Sequence, residues 1–253
     1  MKILKHLIRV FLRDPLRSGT LLRTLGGLPR FLLQWRSYST SSGERVPAGV
    51  LFPRLGDATV TTPFDPHYFY QSAWAAGCLA EQSPARHVDV GSQVNLIAAL
   101  TGYLDIEFVD IRLLDVSLRR LTSKKGSILE LPYPDNSVKS LSSLHVIEHI
   151  GLGRYGDPLD PDGTQKACKE LQRVLAKGGH LYLSTPVGEE RVEFNAHRVH
   201  RAESIVAMFD LCDLAGFALV DDRGQFHPST RPEEGGALSY GCGMFHFTKR
   251  PDR

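Results

Sequence analysis

The sequence predicts an α/β fold, doubly wound around a mainly parallel sheet and preceded by a basic amphipathic arm. Three observations carry this. From Arg86 onward, short β-branched or aromatic runs alternate with stretches of helical period. The first run closes on Asp89-Val90-Gly91 and the second on Asp110, so polar residues gather at the strand ends where parallel sheets bind ligands. The charge is also split: residues 1–40 hold eight Lys or Arg against one acid, Asp14, while in the remainder 27 acids outnumber 22 bases.

In chain order the arm comes first. On a helix, Ile3, Leu4, Leu7, Ile8, Val10, Phe11 and Leu12 cover one side, and Lys2, Lys5, His6, Arg9 and Arg13 fall within an arc of roughly 100°. Asp14-Pro15 interrupts it, because the residue before proline is pushed out of the α region. "LPRFLLQWRSY" follows and adds Trp35 and Tyr38, rings that favour a membrane interface. An arm of this kind fits an anionic membrane surface through residues 1–38. Docking on the protein's own body or a second subunit gives the same pattern, as does a mitochondrial presequence. "STSSGER" (Ser39 to Arg45) reads as a linker, which divides the chain into an arm over 1–45 and an α/β domain over 46–253. Four scattered cysteines without a C-x-x-C pair fit reduced thiols in the cytoplasm. No run of eighteen apolar residues would span a bilayer, so the expected location is cytoplasmic, peripheral at the inner face of the membrane. Nucleic acid is not expected among the partners.

The body then reads as "HVDV" strand, "VNLIAALTG" helix, "IEFVDI" strand, "LLDVSLRRLT" helix and "SVKSLSSLHV" strand. A helix over "GTQKACKELQRVLAKGG" ends on a Lys177-Gly178-Gly179 cap signal, and "HLYLST" is the strand after it. A helix over "AESIVAMFDLCDLAG" and strands "FALVDD" and "GCGMFHFTK" complete the body.

The run "GSILELPYPDNSVKSLSSLHVIEHI", followed by "ELQRVLAKGGHLYLSTP", resembles the class I S-adenosylmethionine-dependent methyltransferases from about His87 to Lys249. "FDPHYFYQSAW", "VDVGS", "HIGLGRYGDPLDPDG", "STPVG" and "FNAHRVH" look more narrowly like a methyltransferase-like family of unknown function, often encoded among bacterial surface-polysaccharide genes. The resemblance implies a Rossmann-like sheet of seven strands and S-adenosylmethionine as cofactor. It implies that Asp89, Gly91 and Ser92 shape the loop around the methionine moiety, that Asp110 holds the ribose, that Ser127 and Ile128 flank adenine, and that His145 lies near the sulfonium. His67, Tyr68 and Tyr70 would belong to a helix covering the cofactor. Where the family carries further glycines after Asp-x-Gly, this chain has Ser92-Gln93-Val94-Asn95. That departure leaves a second reading open, a catalytically silent binding or scaffold module at the membrane in polysaccharide assembly.

His145, Glu148 and His149 spell H-x-x-E-H, which on a helix would bind zinc. Here "SVKSLSSL" leads in as a strand and "GLGRYGD" breaks the chain directly after, so no metal is expected. The expected reaction is O-methylation of a surface glycan or of its lipid- or nucleotide-linked precursor, which needs a base of near-neutral pKa. His149 is the first candidate, with His145 and His197 beside it and Glu148 to orient a ring. Arg154, Tyr155, Asp157 and His200 are the candidate acceptor ligands.

Overall fold

The computed structural model describes residues 18–44 and 46–251. The helix expected over residues 1–13 lies outside them. The chain divides into two compact units, the second beginning at Asp65. This places the boundary later than residue 45, and local packing gives the reason. Helix α1 (Ser18–Ser41) takes in Ser39–Ser41, read from the sequence as linker. The segment after it folds back on α1: Val46 O accepts the Trp35 indole N–H at 3.0 Å. Leu55 O comes within 2.6 Å of where a Cβ on Gly27 would stand. No helix among the described residues is long and apolar enough to cross a membrane.

The second unit opens with α2 (Pro66–Gln82), whose start is written in its sequence. Asp65 Oδ1 accepts the N–H groups of His67 and Tyr68 at 3.0 and 3.3 Å, and Pro66 supplies a preset φ at the first helical position. The strands follow: β1 (His87–Val90), β2 (Ile106–Asp110), β3 (Leu121–Lys125), β4 (Val138–Leu144), β5 (Leu175–Val187), β6 (Arg191–Glu193), β7 (His197–Val199), β8 (Cys212–Val220), β9 (Phe226–His227) and β10 (Gly241–Lys249). The main sheet has eight strands in the order β3-β2-β1-β4-β5-β10-β8-β9. The pairs from β3 to β5 are parallel, whereas β10 runs antiparallel between β5 and β8. The expected seven strands are thus joined by a two-residue eighth, β9, at the edge. Strands β6 and β7 form a separate hairpin beyond the end of β5.

Helices cover both faces because alternate strand residues are apolar on both sides. Leu181 and Leu183 pack with Ala167, Cys168 and Leu171 of α4 (Gly163–Val174) and Ile205 of α5 (Ala202–Met208). Tyr182 between them faces the other way, with Leu79 of α2 and Ile97 of α3 (Val94–Leu100). The connection order reverses at β1, which has β2 on one side and β4 on the other. In open α/β sheets that reversal makes a crevice at the strand ends.

Three expected helices are shortened or replaced. "LLDVSLRRLT" is not helical: Leu113, Val116 and Leu118, its would-be buried face, are exposed, and the chain goes on as edge strand β3. The helix read to residue 179 stops at Val174, because Leu175 already pairs with Val138 of β4. Lys177-Gly178-Gly179 is a break within β5, with Gly178 at φ +70° and Gly179 tight against Ala176 O. Helix α5 ends at Met208, since Cys212, Asp213 and Leu214 pair with β10.

Candidate functional site

The site starts from a buried polar seam under the sheet's crevice. Asp89 Oδ1 accepts the Ser92 N–H at 3.0 Å, and its Oδ2 accepts the Ser142 hydroxyl. Ser142 also meets His87 Nε2 at 2.8 Å, and Ser140 meets His87 Nδ1 at 2.8 Å. Burial pushes the Asp89 carboxyl up to about 6, against the serine bonds that lower it, and burial takes His87 down to about 3. Asp89 therefore closes the β1 turn from inside and presents no oxygen to a ligand. The turn itself needs glycine: Gly91 stands at φ +73°, and a Cβ there would press on Val146 at 3.3 Å.

Above this turn lies a cavity of about 510 Å³. Gly91, Ser92, Asp110, His145, Tyr68 and Tyr155 line it, with Phe108 and Leu114 among the apolar walls. Asp110 closes β2 and, among the described residues, is held by Oδ1 alone, which accepts the Arg112 N–H at 2.7 Å and pairs with Arg112 Nε at 3.5 Å. Its Oδ2 is left for a ligand hydroxyl, and a carboxylate of this kind suits the paired hydroxyls of a ribose. Arg112 also lies over the Tyr155 ring, 4.8 Å from its centre, at the rim.

The H-x-x-E-H run is a strand end and a single turn. His145 follows β4 at φ +55°, and Ile147–His149 make one 3₁₀ turn. Glu148 is fully buried between the two histidines, with Oε1 2.7 Å from His145 Nδ1 and 3.7 Å from His149 Nε2. His145 Nε2 meets Cys242 Sγ at 3.4 Å. Burial opposes charge on His145, but Cys242 and Glu148 outweigh it and raise its proton affinity well above that of a free imidazole. Burial likewise acts to raise Glu148, yet His145 holds it below the usual carboxylate range. His149 is the reverse case: burial lowers it, in spite of Glu148. Its Nδ1 donates to Ala196 O at 2.7 Å, which leaves the Nε2 lone pair on the Glu148 side.

The structure therefore gathers Gly91, Ser92, Asp110, His145 and Tyr155 around one cavity, with Glu148 and His149 adjoining. Tyr155 bridges the two groups, its ring edge-on to His149 at 5.6 Å. Other expected residues fall elsewhere. Ser127 and Ile128 do not line the cavity; Ile128 is buried in the core, and the Ser127 hydroxyl accepts the Leu129 N–H. Asp157 is spent on its own loop, accepting the N–H groups of Gly151, Gly153 and Tyr155. Arg154 donates to Ala196 O at 3.0 Å and stands 3.3 Å from His149 Nδ1. His197 is half-buried, with Nε2 3.3 Å from Glu193 Oε2, and stacks at a tilt on Tyr240. His200 is walled in beside Val187, its Nε2 buried without a partner. Sequence reasoning passed over Arg112, Tyr240 and Cys242; the last two enter the site only because β10 inserts beside β5.

The sheet order and the crevice at β1 decide the fold. It is the Rossmann-like fold of the class I methyltransferases. Similar solved structures include the [4+2]-cyclase SpnF (TM-score 0.51, 15% identity, 70% of this chain and 80% of that one). The N-methyltransferase NodS from Bradyrhizobium japonicum WM9 is another (TM-score 0.50, 12% identity, 74% and 98%). At such identities the likeness concerns the fold, and the two names show that one fold serves different reactions. A family described as Caenorhabditis protein of unknown function, DUF268, matches residues 127–224. A Mycolicibacterium smegmatis protein, described as a probable S-adenosylmethionine-dependent methyltransferase, is 33% identical over 115 residues. That match covers 43% of this chain, and the chain spans about two-fifths (39%) of the relative's length.

Proposed function

We propose that this protein is an S-adenosylmethionine-dependent methyltransferase acting on a hydroxyl of a surface glycan, or of its lipid- or nucleotide-linked precursor. One observation carries the cofactor reading: the Gly91-Ser92 turn, Asp110 and His145 line one cavity at the point where the sheet's connections reverse. The similarity to the M. smegmatis protein supports it. The glycan acceptor is supported by the sequence resemblance and by Tyr155 and Arg112 in the cavity lining.

When bound, the cofactor supplies an electrophilic methyl group on a sulfonium. The chain's own residues would do the rest. Asp110 Oδ2 would accept from the ribose, and the glycine at 91 would let the backbone approach the amino-acid end. His149, neutral and held in one tautomer by Ala196 O, takes the acceptor's hydroxyl proton on Nε2. Glu148, anionic and close to that nitrogen, stabilises the imidazolium that results. Tyr68 and Tyr155 line the cavity, where their rings would help to exclude water from the methyl group's path.

Calorimetric titration of the intact protein with S-adenosylmethionine tests this reading. Saturable binding at one site is expected, and labelled methyl should then pass to a nucleotide- or lipid-linked sugar. No heat up to millimolar cofactor would overturn the assignment and leave a silent binding module. The arm's place at an anionic membrane belongs to the same proposal.

A further inference from the structure

We propose that His67, His145 and Cys242 form a binding site for one thiophilic divalent cation, with zinc the best fit. The three come from α2, the end of β4 and β10, and one ligand atom of each lies within 4.8 Å of the others. Their chemistry is that of a zinc site: two imidazoles and a thiolate, one ligand short of the tetrahedral four. The His145 Nε2 to Cys242 Sγ separation of 3.4 Å is already close to an edge of a tetrahedral site, about 3.6 Å for ordinary Zn–N and Zn–S bonds. His67 has to close by about 1 Å to reach the same centre. It is half-buried on the first turn of α2, where the Asp65 cap holds its backbone. Its ring bonds the Tyr240 backbone and stacks on Tyr240 at 5.2 Å, and it has to leave that bond to close.

Two further features fit a ligand role. Glu148 binds Nδ1 of His145 at 2.7 Å, which turns Nε2 toward the sulfur; carboxylates orient metal-bound histidines in this way. His145 also sits in the left-handed backbone region at φ +55°, a costly place for a histidine. Such strain persists where a side chain must be aimed. The cation would displace the Cys242 thiol proton, as thiolate ligation requires. Binding therefore releases protons and strengthens as pH rises. Because His145 lines the cavity, the open coordination position would face it and could hold an acceptor oxygen. That last role rests on the proposed methyl transfer; the binding itself does not.

The test uses the full chain, stripped with chelator under reducing conditions and titrated with Co²⁺, then Zn²⁺. One cobalt per chain is expected, with thiolate-to-cobalt charge-transfer absorption and intense tetrahedral visible bands that zinc abolishes. Cys242→Ser should remove the charge-transfer band. Glu148→Gln should keep the band but weaken affinity about 10–100-fold, as loss of an orienting partner does. His67→Ala, at a half-buried helix start, should weaken binding in a protein that still folds. Absence of a thiolate–cobalt band in the native chain overturns the proposal, as does a band that survives Cys242→Ser. Thiolate absorption without cobalt uptake would show a Cys242–His145 ion pair instead. Cofactor titration of the same preparations is read separately, so either proposal can fail alone.

Discussion

At the scale of single residues, the cavity turns on which oxygen and nitrogen atoms are already engaged. Asp110 keeps Oδ2 for the ligand, so Asp110→Ala should weaken cofactor binding by about 1.5–3 kcal/mol, roughly 10–150-fold by calorimetry. Asp89 is different, since both its oxygens are bonded inside the fold. Its folded pKa of about 6 is raised above the unfolded value, so the stability it gives is complete below pH 4 and is lost as pH rises through 6. The loss amounts to about 3 kcal/mol. Asn can keep both bonds, because Ser142 can donate to His87 instead. Relative to the native chain, Asp89→Asn should thus gain stability between pH 4 and 7 in denaturant melts; a flat difference would mean that Asp89 stays ionised. His149, held below the ordinary imidazole range chiefly by burial, predicts a rate already on its plateau at neutral pH. His149→Ala should lower turnover about 10²–10⁴-fold and remove the acid limb of the pH profile.

At the scale of elements, the loop from Ile150 to Asp162 depends on an arginine that looked incidental. "FNAHRVH" drew attention to its histidines, yet Arg198 between them is the anchor. Its guanidinium donates to Ile150 O at 2.5 Å, Asp160 O at 3.2 Å, Pro161 O at 3.4 Å and the Thr164 hydroxyl at 3.3 Å. Gly151 and Gly163 pack the same loop so closely that a Cβ on either would strike backbone. Arg198→Ala should cost about 2–3 kcal/mol by thermal or chemical melt, because buried carbonyls lose a charged donor. Faster amide exchange across residues 150–162 should accompany it. Lysine should rescue little, since a point charge cannot fork to four acceptors. The shortened helices teach the same lesson: strand pairing outbid helical period at Leu175 and at Cys212–Leu214.

At the scale of the molecule, every strand among the described residues comes from beyond Phe64. A chain beginning at Asp65 should keep its melting temperature and its cofactor affinity. If the arm lies on anionic lipid, the intact protein should co-sediment with phosphatidylserine vesicles at low salt, with each basic group near the surface contributing about 1 kcal/mol. Salt should weaken this binding without abolishing it, and the truncated chain should stay in solution. Intact protein left in the supernatant would mean that the apolar leucines of α1, such as Leu33, serve a protein contact.

By itself the sequence determined the alternation of strands and helices, the Asp89-Val90-Gly91 and Asp110 strand ends, and the strand that leads into the H-x-x-E-H run. Each depends on neighbours within a few residues: β-branched runs, turn residues, and a glycine where φ must be positive. Tertiary structure decided what no local pattern encodes. It put β10 beside β5, bringing Cys242 to His145 from 97 positions away. It turned Asp157 inward to its own loop and made Arg198 that loop's anchor. It also left residues 113–120, whose apolar residues have helical spacing, without regular structure, and paired the residues after them, Leu121–Lys125, with the edge of β2. Long-range pairing satisfies whole rows of backbone groups at once, so it overrides preferences worth only tenths of a kcal/mol per residue.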